Sequence, residues 1–212
     1  MTKISDKEIS IPVNAVSVKG VLNVPSGAKR AVIFAHGSGS SHHSPRNQYV
    51  AKVLNDNGFA TLLFDLLTAN EDLTYENRFN IELLTKRLVI ATNWLLNQSC
   101  CKNFKLGYFG ASTGSAAAIR AASMQGESIK AIVSRGGRPD MAEEEIAKLK
   151  TPTLLIVGEF DDIVIRLNKQ AQGLMTVEAR LEIVPGATHL FEEPGTLEAM
   201  AKLALKWFKK YL

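Results

Sequence analysis

The chain has 212 residues, 46% hydrophobic and 22% charged, with a formal net charge of +4. This balance excludes a disordered chain. The length suits one domain, read as residues 1–212, whose core is large enough to need no disulfide or metal staple. The 25 Lys and Arg are dispersed among 21 Asp and Glu. No dense basic block interleaved with aromatics is present, which argues against a nucleic-acid partner. No apolar run is long enough to span a bilayer, so no membrane partner is expected.

MTKISDKEIS, at the start, carries acidic residues and no apolar stretch, unlike a secretory leader, and a cytoplasmic location is expected. EISIPVNAVSVKGVLNVP alternates apolar and polar residues around Asn14 and Gly20, predicting an antiparallel hairpin. AVIFAHG follows as a strand buried on both faces. Helical spacing predicts a helix over Arg46 to Asn57, with Gly58 just past its end. Next come a strand in ATLLFDL and a long amphipathic helix over about Asn77 to Asn97. KLGYFG is a strand, and Thr113 to Met124 a helix of small residues. AIVSRGG is a strand, followed by a short helix in MAEEEIAKLK with acids first and lysines last, matching the helix dipole. TPTLLIVG is a strand, Ile165 to Leu174 a helix, and RLEIVPG a strand. Thr196 to Tyr211 closes the chain as a helix, with Leu197, Met200, Leu203, Ala204, Trp207 and Phe208 on one core-facing stripe. Cys100 and Cys101 are adjacent and are read as reduced and structural.

Strands alternating with helices predict an α/β fold: a mostly parallel, twisted sheet of about eight strands, helices on both faces and no cap domain. In such sheets the reactive groups lie at the carboxyl ends of the strands. Ser112 sits there in GYFGASTG, with Gly110 and Gly114 two residues to either side. It is either a nucleophile held on a sharp strand-to-helix turn, where a nearby Cβ would clash, or a tight turn whose serine matters little. A serine needs a base, and His189 in PGATHLFEEPG follows the last strand. The base needs a carboxylate, and VGEFDDIV offers Asp161 and Asp162, one to orient the histidine and the other to cap the next helix. The chain order Ser, Asp, His is the one this sheet architecture requires. AHGSGSS, after the first parallel strand, offers an oxyanion hole: one N–H from Thr113 and one from Ser38, with Gly37 and Gly39 letting the backbone approach a substrate. It is not a dinucleotide loop, because position 42 is His, and no Lys follows Gly114 as a phosphate loop would need.

FAHGSGSSHHSPRN, GYFGASTG, VSRGGRPD, LLIVGEFDDIV and PGATHLFEEPG together resemble the α/β-hydrolases from about Ala31 to the C-terminus. Within that superfamily the chain is similar to the lidless dienelactone-hydrolase-like branch. The resemblance implies hydrolysis of a small-molecule carboxylic ester, thioester or lactone through an acyl-enzyme, with no cofactor and no metal. Ser112 would attack, His189 would pass the proton to the leaving group, and Asp161 would orient His189. The family's G-x-x-D-x-x-V spacing, at Gly158, Asp161 and Val164, favours Asp161 over Asp162. The enzymes that name the branch carry a cysteine where this chain has Ser112, which points to general esterase chemistry. Asp140 is the fallback acid. The pocket is expected to be shallow and open, or closed by a partner chain in a homodimer.

Arg135 and Arg138 could bind a substrate carboxylate, with a salt bridge to Asp140 or Glu159 as the competing reading. His42 and His43 lack a third metal ligand nearby. Arg46 and Asn47 read as a helix start or as residues that tie down the loop, and Asp65 as a structural hydrogen-bond acceptor. Two readings compete with hydrolysis: a ligand-binding or receptor protein on the same fold, and acyl transfer to an acceptor other than water.

Overall fold

The computed structural model describes residues 7–212, so the leader reading of residues 1–6 lies outside the described residues. The hairpin pairs β1 (Lys7–Val13) with β2 (Val16–Asn23), and Asn14 turns it at φ 59°. Asn is among the few non-glycine residues that enter the left-handed region readily. Six further strands follow: β3 (Arg30–Ala35), β4 (Ala60–Phe64), β5 (Lys105–Ala111), β6 (Ile129–Arg135), β7 (Thr153–Gly158) and β8 (Ala179–Val184). Their order across the sheet is β1-β2-β4-β3-β5-β6-β7-β8, parallel from β4 onward and antiparallel at the β1–β2 and β2–β4 pairings. From β3 the chain moves outward to β4, then crosses back to β5 on the other side of β3. That reversal opens a crevice at the carboxyl ends of β3 and β5, where such sheets place their chemistry.

The apolar runs VIFA, ATLLF and LLIVG are buried because both sheet faces are covered. One face carries α1 (Pro45–Asn55) and α7 (Thr196–Tyr211); Val50, Leu54, Met200, Ala204, Trp207 and Phe208 pack there against Val32, Phe34, Phe109 and Val133. Leu197 and Leu203 of the α7 stripe are only partly buried at its margin. The other face carries α3 (Ile81–Leu96) and α4 (Thr113–Gln125), whose Leu84, Leu88, Ala91, Ala117 and Ala121 pack on Ile33, Leu62 and Tyr108. Small residues let α4 lie close to the sheet. α6 (Asp162–Leu174) follows β7. Cys100 is exposed and Cys101 buried, both free; burial and the adjacent Cys100 push the Cys101 thiol up to about 12. No helix among the described residues is long and apolar enough to cross a membrane.

Two elements differ from the periodicity. The helix expected over 77–97 begins only at Ile81, because the Asn80 side chain accepts from Leu83 N–H and caps it there. The preceding residues form a separate turn, α2 (Ala69–Asp72), whose Thr68–Glu71 capping box closes it, and then a 3-10 turn at Tyr75–Phe79. Arg78 is bound to Asp72 by two hydrogen bonds to its carboxylate, and Arg87 to Glu71, so this segment is clamped to the protein. The helix expected in MAEEEIAKLK shrinks to the single turn α5 (Glu143–Ile146) behind a 3-10 turn at Pro139–Ala142.

Candidate active site

The site is built at the carboxyl ends of β3, β5, β6, β7 and β8. At the end of β5, Ser112 takes φ 49° and ψ −121°, a conformation of roughly 1–3 kcal/mol strain for a residue with a Cβ. Three neighbours hold it there. Its N–H donates to Arg135 O at 3.2 Å, while its carbonyl accepts from Ser115 N–H at 3.0 Å and Arg138 N–H at 3.2 Å. The flanking glycines are required by contact. A Cβ at Gly114 would lie 2.2 Å from Ala35 O, and one at Gly110 would lie 2.5 Å from Ser115 Cα. Beneath the turn, the Ser115 and Ser134 hydroxyls meet at 2.6 Å and tie α4 to β6. Ser112 is half-buried, and its side chain does not cap the helix that follows it.

His189 lies in the loop after β8, and its Nδ1–H donates to Asp161 Oδ2 at 2.6 Å. In the neutral ring that bond puts the proton on Nδ1 and makes Nε2 the acceptor. The ring lies over Gly136, where a Cβ would come within 3.2 Å of His189 Cε1. Gly136 is the neighbour of Arg135, whose carbonyl holds Ser112, so one stretch of backbone borders both the serine turn and the histidine ring. The loop is anchored by Glu193, which accepts from Thr188 N–H at 3.1 Å, and by Phe191, fully buried with φ 57°. The Thr188 bond also lowers the Glu193 carboxyl below its usual range. Asp162 does not cap α6, contrary to expectation. Asp161 itself occupies the cap position, without a side-chain bond to the helix, and Asp162 is the first helical residue.

Opposite the histidine, the loop after β3 closes over the turn: a Cβ at Gly37 would lie 3.0 Å from Ser112 Cβ. Backbone bonds tie Ser40 N–H to Gly37 O and Ser115 N–H to Ser112 O. The N–H groups of Ser38 and Thr113 have no such bond among the described residues, and Thr113 opens α4, where the first N–H groups lack helical partners. Gly37, Ser38, Gly39 and Thr113 line a common cavity of about 10 Å³. The loop is held from below by His36, which the sequence reading did not single out. Its Nδ1–H donates to Gly37 O at 2.9 Å, and its Nε2 accepts from Leu66 N–H at 3.0 Å. Burial drives its pKa below the ordinary 6.5, so it stays neutral with the proton on Nδ1. Its position directly after a buried strand was the available signal.

Among the other singled-out residues, Asp65 is an acceptor, taking His42 N–H at 2.9 Å and His42 Nδ1–H at 2.8 Å. His42 and His43 stack on each other, and no group able to hold a metal occurs among the described residues. Arg138 is committed to Asp140, at 2.7 Å, which also leaves Asp140 away from His189. Arg135 is buried with no side-chain hydrogen bond or ion pair among the described residues; its guanidinium lies 5.9 Å from the Phe191 ring centroid. Desolvation first, and Arg46 second, lower its pKa to about 10, which still leaves it charged at neutral pH. Arg46 pairs with Glu192 at 2.8 Å, and Pro45 starts α1 under the Ser44 cap.

A strained serine turn after β5, beside a reversal in strand order, on a sheet with an antiparallel hairpin at one edge, is the architecture of the α/β-hydrolases, and this molecule has that fold. The model of the dienelactone hydrolase family matches residues 18–212, and the chain belongs to that family. A crystal structure of a dienelactone hydrolase from Anabaena variabilis is 51% identical, covers 99% of both chains and superposes with a TM-score of 0.96. Est1E from Butyrivibrio proteoclasticus, at 16% identity over 97% of this chain and 100% of its own, shares the fold with a TM-score of 0.81. Two Mycobacterium tuberculosis proteins provisionally named phosphoribosyl transferases are 52% identical over 207 residues, 98% of this chain. The chain spans about half the length, 47%, of these curated relatives.

Proposed function

We propose that the protein is a serine hydrolase that cleaves a carboxylic ester, thioester or lactone through an acyl-enzyme. The observation that carries this reading is the 2.6 Å His189–Asp161 bond over the same backbone that holds the strained Ser112 turn. Ser112 Oγ attacks the acyl carbon while His189 Nε2 takes its proton. Asp161, accepting from Nδ1–H, fixes the tautomer and stabilises the imidazolium that forms. The carbonyl oxygen becomes an oxyanion between the N–H groups of Ser38 and Thr113, at the positive end of α4. Gly37 and Gly39 let that loop's backbone reach the substrate. As the tetrahedral species collapses, Nε2–H protonates the departing alcohol, thiol or ring oxygen. Water, deprotonated by the same nitrogen, then attacks the acyl-Ser112 ester and releases the acid. The unpaired guanidinium of Arg135 is available to an anionic group on the substrate.

The transferase name of the M. tuberculosis relatives describes proteins about twice this length and is not carried to this chain. The test is labelling with a fluorophosphonate probe and turnover of short-chain nitrophenyl esters. Wild type labels and turns over, and Ser112→Ala does neither. Folded wild type that fails to label overturns the proposal.

A further inference from the structure

Ten large hydrophobic side chains are exposed among the described residues; three of them lie within two residues of Asp161 or His189, and three lie between Leu73 and Phe79. Scattered single exposures are ordinary, but a concentration of this kind marks a binding surface. Phe160 (66% exposed), Ile163 (65%) and Leu190 (39%) are next to, or two residues from, Asp161 and His189. Leu73, Tyr75 and Phe79 lie on the clamped segment beyond the oxyanion loop, where Arg78 comes within 3.8 Å of the position of a Gly39 Cβ. That segment is held rigid by the Asp72–Arg78 and Glu71–Arg87 pairs, so its apolar side chains are presented and not merely loose. The Phe160 flank is equally fixed: Phe160 N–H donates to Ala187 O at 3.0 Å, and Asp161 is bound to His189. The cavity against the oxyanion loop, about 10 Å³, is at the lower limit for a single water and does not itself house a substrate.

We propose that Phe160, Ile163 and Leu190 form the leaving-group subsite, and that the substrate is an ester whose alcohol portion is large and apolar. This rests on the hydrolase reading above. The assignment to the leaving group follows from proton transfer. His189 Nε2 has to reach the departing oxygen, so the group carried by that oxygen lies against the side chains that border His189 and Asp161. Those side chains offer no hydrogen-bonding group, and they are exposed until a substrate covers them. Recognition is therefore by desolvation, which suits an aromatic or alicyclic alcohol and not a sugar or a charged one.

The experiment compares methyl acetate with benzyl acetate, two esters of one acid whose alcohols have nearly equal acidity, by titrating released acetate. The wild type prefers benzyl acetate in kcat/KM by at least about tenfold, and Phe160→Ser and Leu190→Ser each cut the benzyl-to-methyl ratio by about tenfold. Met124→Ser, which removes an equally exposed side chain from the far end of α4, leaves both rates as they are. Hydrolysis of both esters with a ratio that neither substitution moves overturns the subsite while leaving the hydrolase reading intact. Failure of both esters together with absent probe labelling overturns the hydrolase reading itself. A shift of Phe160→Ser from dimer to monomer in light scattering, with the ester ratio unchanged, overturns the subsite in favour of self-association.

Discussion

His189 Nδ1 and Asp161 Oδ2 lie 2.6 Å apart across 28 residues of chain. Asp162, the neighbour with the same functional group, lies in the first turn of α6 and makes no such bond. The difference gives a direct test of which carboxylate orients the histidine. Asp161→Asn is expected to lower kcat on a nitrophenyl ester by about 10³–10⁴, because an amide presents the wrong hydrogen-bonding partner to Nδ1. Asp162→Asn is expected to stay within about threefold. Equal effects of the two substitutions would refute the assignment.

Gly114 and Gly173 should respond to the same substitution in opposite directions. A methyl group at Gly114 meets Ala35 O at 2.2 Å and His36 O at 2.5 Å, both backbone atoms that cannot step aside. Gly114→Ala is expected to cost about 3 kcal/mol or more. Gly173 lies in the last turn of α6 with nothing within 4 Å of an added Cβ, and Gly173→Ala should gain about 0.5 kcal/mol by removing unfolded-state freedom. Urea midpoints of the two variants at neutral pH check both signs.

His36 should make the protein less stable in mild acid. Its pKa is lowered by burial, so the unfolded chain takes up a proton below about pH 6.5 before the folded chain does. The contribution of neutral His36 is fully present above 6.5 and is lost as pH falls through the interval down to the folded-state pKa. Urea unfolding at pH 7.5 and 5.5 measures this. His36→Gln should be less stable than wild type at pH 7.5, by about 1–3 kcal/mol for the bonds lost, yet should show a shallower decline between the two pH values. An unchanged slope would exclude His36 as the source.

Arg135 is a buried cation without an ion pair, so replacing it should not harm folding. Arg135→Met keeps the apolar stem and removes the uncompensated charge, and its Tm is expected to equal or exceed that of wild type. If the guanidinium serves a substrate anion, KM for an ester carrying a free carboxylate rises about tenfold or more, and KM for its neutral methyl ester does not. Equal KM changes for both esters would remove Arg135 from substrate recognition.

The sequence by itself determined the architecture and the places where chemistry could occur. Period-two and period-3.6 patterns distinguish the strands from the helices, and glycines two residues to either side of Ser112 mark a backbone that cannot tolerate a Cβ. Both signals are local, because they come from the chain's own geometry. It stopped short where like side chains compete. Asp161 and Asp162 carry the same group, and although the family spacing favours Asp161, only the return of the β8 loop over β7 brings it to His189. The late start of the helix expected over 77–97 was likewise hidden, since the Asn80 cap and the Asp72–Arg78 clamp compete with a pattern that reads as continuous helix. His36 is one more residue after a strand in the sequence, and its role comes from Leu66, 30 residues later, which donates to it. Phe160 and Leu190 are neighbours in the chain of Asp161 and His189, which only the pairing of β7 with β8 brings together. Local conformation is dictated by neighbours in sequence, whereas partner choice among like side chains depends on distances that only the closed sheet sets.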